Sequence, residues 1–401
     1  MSHSKSSRSR AAGILGLAAG LSALLLAPTA QAAKPEGEVK VMTRNVYLGA
    51  SLTPALAAAN PGELAVATSS IYSNVQYTDF PQRAKLLAKE IKKEKPDLIG
   101  LQEVTQYRED VIDEMIPDDG GLNNVQDGPF TPATEITIDF LDELNKQLKK
   151  KKAKYRVVDI QREADLEVPS TVRDIRLIMR DVIMARKGAG VKTQDGNDGH
   201  FDELLEISAA GGALEVTVDR GWLYTEANVR GTKFRFLNTH LEAFGDGDQP
   251  AGELREDQAQ ELIASFPPAE KPGPATYQSA GGPVVAVGDF NSDDDTVSGD
   301  DQLAYNALTS GPNALTEVGL SGGVEESCCF QDELIEEDPA TALDDLDHHI
   351  DKVFVNNPAI TEVTSKVVGN EKRINSSVVS PHKLWASDHM GVITTLQFPV
   401  P

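Results

Sequence analysis

Apolar and polar positions alternate from Glu38 to Asn45 (EVKVMTRN), and that two-residue period predicts a strand. Between Gln82 and Lys95 the period changes. Ala84, Leu87, Ala88 and Ile91 fall on one face of a helix, and Pro96 stops it. Asp97 to Glu103 (DLIGLQE) is a short apolar run of the kind that forms a buried strand. A second amphipathic helix is predicted from about Glu135 to Lys152, its lysine-rich end matching the negative pole of the helix dipole. Tyr155 to Ile160, Asp181 to Arg186, Trp222 to Val229, Lys233 to His240, Pro283 to Phe290, Asp351 to Val355 and Val392 to Phe398 read as further strands. Strands outnumber helices, and the neighbouring pair around 222–240 predicts an antiparallel hairpin. No repeat with a period of about 20–50 residues occurs, which excludes solenoids and propellers. The pattern predicts one α+β domain of packed sheets with helices outside, interrupted by long loops near 106–134, 161–180, 188–213 and 292–345. No Pro/Ser/Gly linker divides it.

Composition narrows the class. The chain has 401 residues, 40% hydrophobic and 25% charged, a globular balance that excludes collagen and argues against disorder and a polytopic membrane protein. Its 62 acidic residues against 38 Lys and Arg leave a formal net charge of −24. Such a surface repels polyanions at long range. That excludes a cationic nucleic-acid scaffold and leaves a nucleic-acid enzyme open.

At the N-terminus, Lys5, Arg8 and Arg10 precede an apolar run from Ala11 to Ala27, followed by Pro28-Thr29-Ala30-Gln31-Ala32. These are the three parts of a signal peptide spanning residues 1–32. The rival, an uncleaved anchor, would need roughly 20 apolar residues. A secreted, extracellular product is expected, with no transmembrane segment after cleavage. The two cysteines, Cys328 and Cys329, are adjacent, so neither a disulfide framework nor a four-thiolate zinc site is expected. A vicinal disulfide and a pair of loop thiols both stay open.

The chemistry concentrates at strand ends. Asn45 ends the first strand and Glu103 ends the second. His240 closes FRFLNTH, while Asp289 and Asn291 close VVAVGDFN. Asp351 begins its strand, and Ser387-Asp388-His389 precedes the last one. Acids and amides gathered at a shared rim bind a hard divalent cation through oxygen, and Mg²⁺ suits few carboxylates with several waters retained. Two histidines beside carboxylates serve as base, acid or phosphate contact. The parts fit metal-assisted hydrolysis of a phosphate ester.

Taken together, TRNVY, LQEV, NTHLE, GDFN, HIDKVFV and SDHMGV, in this order and spacing, resemble the endonuclease/exonuclease/phosphatase superfamily, whose members include DNases of the pancreatic type, AP endonucleases, bacterial sphingomyelinases and inositol polyphosphate phosphatases. The resemblance covers residues 38–400 and implies a four-layer α/β/β/α sandwich of the DNase I-like type in a single domain with long loop insertions. It implies that Glu103 binds Mg²⁺ or Mn²⁺, with Asp388 and Asn45 close to that metal or its waters. Asp289 and Asn291 would position the attacking water and the scissile phosphate. His389, oriented by Asp351, would be general base or charged clamp, and His240 would hydrogen-bond a phosphoryl oxygen or protonate the leaving group. In pancreatic-type DNases an acid orients the first histidine, and Asp181 is the candidate here. No covalent intermediate is implied.

Other features carry less. His349 stands where many relatives have arginine, a surface swap in the simplest reading, and His348 beside it would add a metal or phosphate contact. The acidic positions Asp293–Asp295, Asp300, Asp301, Asp246 and Asp248 would either hold structural Ca²⁺ or form solvated loops; they lack the glycine of an EF-hand. Tyr107 and Arg108, just beyond Glu103, would either reach a substrate backbone or pack a loop. The leading expectation is a DNase-like phosphodiesterase acting on nucleic acid. Its alternatives are a sphingomyelinase-like phospholipid phosphodiesterase and a phosphomonoesterase on inositol or sugar phosphates. No protein partner is implied.

Overall fold

Strand β1 (Glu38–Asn45) is buried along nearly its whole length, which puts it inside a sheet with layers on both sides. In the computed structural model, residues 36–111, 132–212, 214–245, 250–264, 282–294, 301–319, 326–331, 334, 346–370, 373–378 and 383–399 are described. After β1 come three helices, α1 (Thr53–Leu56), α2 (Pro61–Tyr77) and α3 (Phe80–Glu94). Strands β2 (Leu98–Gln102), β3 (Gln106–Asp110) and β4 (Glu135–Asp139) lead to α4 (Phe140–Lys150). A long hairpin, β5 (Tyr155–Pro169) and β6 (Asp174–Arg186), is followed by the short strands β7 (Val191–Thr193) and β8 (Asn197–His200). Strands β9 (Leu205–Ala209) and β10 (Leu214–Val218) pair only with each other. Next come β11 (Gly221–Val229), β12 (Thr232–His240), α5 (Ala251–Ala264), β13 (Val284–Asp289), α6 (Gln302–Thr309) and β14 (Thr316–Val318). The chain closes with β15 (Asp351–Val355), β16 (Thr361–Val368), a small ribbon of β17 (Ile374–Asn375) and β18 (Lys383–Leu384), and β19 (Gly391–Gln397). No described helix is long and apolar enough to cross a membrane.

The first sheet runs β16-β19-β1-β2-β6-β3-β4, with β5 also on β6; the second runs β14-β15-β13-β12-β11-β7, with β8 on β11. Val39, Val41, Leu98 and Ile183 of the first sheet pack on Leu223, Phe236, Val285 and Val353 of the second, so the sheets lie face to face. On its other face the first sheet packs Met42, Ile99 and Val182 against Ala84, Leu87 and Ile91 of α3 and Leu144 of α4. The second sheet does the same with Leu237, Ala286 and Phe354 against Leu262 of α5 and Leu308 of α6. The architecture is the four-layer α/β/β/α sandwich expected.

Register then places the polar strand ends. Asn45 pairs in parallel with Gln102, next to Glu103, and His240 pairs in parallel with Asp289. Asp289 lies opposite Asp351 across the antiparallel β13–β15 pair. His389 precedes β19, which runs antiparallel to β1. All of these tips reach one rim of the sandwich.

Several expectations need correction. The helix predicted from Glu135 begins five residues late, because Glu135–Asp139 pairs with β3 and Asp139 caps α4 by accepting from the Asp142 amide at 3.1 Å. The loop expected at 161–180 is the β5–β6 hairpin. Charged pairs on its strands, such as Arg176 with Asp165 at 2.7 Å, give it the polarity of a loop. The stretch near 106–134 opens with β3, 188–213 contains β7, β8 and β9, and 292–345 contains α6 and β14.

Candidate active site

Asn45 is fully buried at the end of β1 and turns its amide nitrogen inward. Its Nδ2 donates to Glu103 Oε1 at 2.9 Å and to Asp289 Oδ2 at 3.0 Å, while its Oδ1 accepts from the Tyr47 amide at 2.8 Å. Asn45 therefore holds two carboxylates by donation, and its Oδ1 keeps one lone pair beyond the bond from Tyr47. Glu103 Oε2 accepts from the Leu48 amide at 2.6 Å. Tyr47, Glu103 and Asn291 all have positive φ, at 59°, 59° and 46°. Non-glycine backbone in this region costs free energy and tends to gather where function requires it.

Asp388 lies beside Glu103. Burial, together with the Glu103 charge, pushes its carboxyl up to about 7 against the opposing pull of His389 and Arg83. Ser387 Oγ donates to Asp388 Oδ1 at 3.2 Å. Two carboxylates crowding one another present a hard oxygen donor set whose repulsion a divalent cation would relieve, so Glu103 and Asp388 fit Mg²⁺ or Mn²⁺. Asp289, Asp351 and His389 form a second group whose donor atoms all lie within 4.8 Å of one another.

Asp351 Oδ2 accepts from His389 Nδ1 at 2.8 Å, and His389 Nε2 lies 3.7 Å from Asp289 Oδ2. Burial works against charge on this ring, but Asp351, Asp289 and Asp388 outweigh it and hold His389 well above the usual histidine range. Burial pushes Asp289 up to about 6, with His389 pulling the other way and Asp351 adding to the rise. Arg44 Nη1 donates to the His389 carbonyl and fixes the turn from behind. Asn291 donates its amide to Asp289 Oδ1 at 3.0 Å and its side chain to the Leu241 carbonyl at 2.9 Å.

His240 is held differently. Arg220 Nη1 donates to His240 Nδ1 at 2.7 Å. An arginine has no acceptor, so Nδ1 is unprotonated and Nε2 carries the hydrogen. Burial, and then the Arg220 charge, keep the ring well below its usual range and neutral. His240 Nε2 stands 3.6 Å from Asp289 Oδ2. Asp181 is fully buried in the middle of β6 with Oδ1 4.0 Å from His240 Nδ1, so the group that orients this ring is Arg220. Arg220 in turn pairs with Glu242 at 3.3 Å and balances Glu163 and Asp181.

The rim brings together Asn45, Glu103, His240, Asp289, Asn291, Asp351, Asp388 and His389. It does not bring Tyr107 or Arg108. Tyr107 is buried with its hydroxyl donating to the Leu48 carbonyl at 3.0 Å, and Arg108 donates to Gln106 Oε1 at 2.7 Å. His349 is no surface swap: it is buried, 3.6 Å from Glu317, and its amide donates to Asp293 at 2.8 Å. His348 is 46% exposed and lies 3.8 Å from Asp293. Of the acidic positions weighed for Ca²⁺, Asp293 accepts the His349 amide and Asp301 accepts from Arg255 at 2.9 Å. Asp246, Asp248, Asp295 and Asp300 lie outside the described residues. Cys328 and Cys329 are joined in a disulfide, with Cys328 Sγ 3.5 Å from His389 Nε2.

Sequence reasoning missed Arg220 and Arg83. Arg83 donates from its buried guanidinium to the carbonyls of Val46, Tyr47, Thr78 and Ala386, pinning the turns that carry Asn45 and Asp388. Its place on the buried stripe of α3, next to Ala84 and Leu87, was the available signal.

No protein-family model matches the chain, and no curated protein does. Among solved structures, the architecture is similar to proteins of the endonuclease/exonuclease/phosphatase family, the class that the motifs resemble. One such protein, from Beutenbergia cavernae, is 17% identical over 90% of this chain and 72% of its own, with a TM-score of 0.49. A mannosyl-6-phosphatase from Bacteroides thetaiotaomicron is 17% identical over 90% of this chain and 100% of its own, with a TM-score of 0.48. D. rerio TDP2, complexed with a single-strand DNA product, is 15% identical over 90% of this chain and 99% of its own, with a TM-score of 0.47.

Proposed function

We propose that this protein is a divalent-metal-dependent hydrolase of phosphoesters in which water attacks phosphorus directly. The observation that carries the reading is the convergence of Glu103, Asp388, Asp289, His240 and the Asp351–His389 pair, drawn from both sheets, at one rim. Glu103 and Asp388 would hold Mg²⁺ or Mn²⁺, which supplies positive charge against the phosphoryl and leaving oxygens.

The remaining steps belong to the chain. Asp289 is a carboxylate at neutral pH with an affinity for protons matched to a base, and it takes a proton from water as the new oxygen–phosphorus bond forms. Asn291 fixes that carboxylate. His389, kept cationic by Asp351, stabilises the charge that collects on the phosphoryl group. Neutral His240 offers its Nε2–H to a phosphoryl oxygen. The ester phosphorus–oxygen bond breaks and the departing oxygen takes a proton from solvent. None of these side chains forms a covalent bond to phosphorus.

The family resemblance extends this reading to phosphodiesters and to endonuclease action. A phospholipid phosphodiesterase is the second reading, favoured by the apolar walls of the cavity that opens from the site. Residues 1–32, which lie outside the described residues, are proposed as a signal peptide; the N-terminal sequence of protein recovered from culture medium should begin just after Ala32.

The test is hydrolysis of bis(4-nitrophenyl) phosphate and nicking of a plasmid at low salt, with His389→Ala as control. Wild-type turnover that EDTA abolishes and Mg²⁺ or Mn²⁺ restores is expected. EDTA-resistant turnover would overturn the metal-dependent reading. Hydrolysis of the small diester without nicking would reject the nuclease and retain the phosphoesterase.

A further inference from the structure

The catalytic groups line part of a cavity of about 290 Å³. Beyond these groups its walls are largely hydrocarbon. Leu52 and Leu56, Leu166 of β5, Met179 of β6, and Ile207 and Val216 of the β9–β10 hairpin line it. Among the described lining residues other than the catalytic groups, Arg220 and Glu242, the polar side chains are those of Tyr47, Ser51 and Cys329.

The hairpin shows how the sequence makes this wall. Along β10, Leu214, Val216 and Val218 face the cavity while Glu215 and Thr217 between them are exposed. That alternation gives one dry face and one wet face. β9 and β10 pair with no other strand, and their apolar side packs on Ala58, Leu64 and Val168. Leu52, Leu56, Leu166, Ile207 and Val216 are only half-buried, so their apolar surface is available within the groove. Among the described residues lining the cavity, Arg220 is the one arginine or lysine, and it is buried and committed to His240 and Glu242, so none of these residues offers a free cation to a sugar–phosphate backbone.

We propose that this groove holds the hydrocarbon chain of an amphiphilic phosphoester whose phosphate sits at Asp289, His240 and His389. The inference rests on the hydrolase reading and names its substrate class. The polar end of the substrate meets the site's charged groups, and the tail displaces water from Leu166, Ile207 and Val216. Specificity then comes from chain length, because apolar burial grows with each methylene.

The experiment uses the methyl, butyl, octyl and dodecyl esters of 4-nitrophenyl phosphate, each below its micellar concentration, with Mg²⁺. We expect kcat/KM to rise by up to about fourfold per methylene until the groove is filled, mainly through KM. Ala55→Trp, a half-buried groove position away from the catalytic groups, should shorten the optimal chain and leave methyl-ester turnover unchanged. A flat series with the methyl ester still hydrolysed overturns the groove and spares the hydrolase reading. If no ester is hydrolysed, that reading falls, and calorimetry decides on the groove alone. Dodecyl phosphate should then bind at least a hundredfold more tightly than inorganic phosphate, with the gap lost in Ala55→Trp. Equal binding overturns the proposal. Parallel assays on phosphatidylcholine vesicles and on monomeric esters distinguish a bilayer from a dissolved amphiphile as the source of the chain.

Discussion

Asp351 and His389 are joined at 2.8 Å across the two sheets: Asp351 opens β15 of the second, and His389 leads into β19 of the first. Within the pair, Asp351 helps hold the His389 ring well above the usual histidine range. Asp351→Asn keeps the shape and removes the charge, and kcat should fall by about 10³-fold or more while circular dichroism stays native. His389→Ala should fall by a similar factor. Because the two act as a unit, the double variant should be little worse than either single one. Multiplicative losses would mean that they act separately.

Arg220 orients His240 and offsets the charge of Glu163, Asp181 and Glu242. Its replacement by leucine leaves buried acids without their counter-ion and should cost about 3–5 kcal/mol in urea unfolding. Arg220→Lys keeps the charge but not the fork of donors. That variant should melt near the wild type and still turn over at least tenfold more slowly. Full activity in Arg220→Lys would show that His240 needs no such partner.

Asn45 ties Glu103 to Asp289, one carboxylate from each sheet. Without it the proposed cation ligand Glu103 loses its second-sphere donor. Asn45→Ala should raise the Mg²⁺ concentration for half-maximal turnover by about 10–100-fold. An unchanged Mg²⁺ titration would separate Asn45 from the metal.

His349 supplies a pH test of stability. Burial, and then Lys352, hold it down to about 4. Its folded-state pKa lies below the unfolded value, so the unfolded chain binds more protons and stability falls as pH drops from about 6.5 towards 4. The shift corresponds to at most about 3 kcal/mol. Urea midpoints measured at pH 7 and pH 5 should therefore differ less in His349→Gln than in wild type. Equal differences would show that the ring is protonated without penalty in the fold.

The parts of the site that were legible lie where a buried strand ends in a polar residue. Asn45, Glu103, His240 and Asp289 each follow an apolar run, and the parallel pairing of β1 with β2 and of β12 with β13 aligns those ends. Arg220 offered no such mark, since a lone arginine before a strand has many explanations and its value comes from acids distant in sequence. The β5–β6 hairpin was obscured for another reason: ion pairs between its strands place charge where alternation should show. Helix α2 has little amphipathic contrast. Its start was nonetheless written as Asn60-Pro61-Gly62-Glu63, with Asn60 Oδ1 accepting from the Glu63 amide at 3.0 Å. Composition alone did not reveal the apolar groove, whose walls come from four separate stretches of chain.

Gly100 lies in the middle of β2 where the two sheets meet. A methyl group there would collide with Asn238 and stand 2.6 Å from Val287 Cγ2 of the opposite sheet. The sheets therefore touch backbone to side chain at this point, directly behind a rim whose paired groups come one from each side. Catalytic alignment in this molecule is a gauge of how the layers are docked. A shift of one sheet over the other at this seam would separate the paired groups of the rim without breaking a hydrogen bond within either sheet.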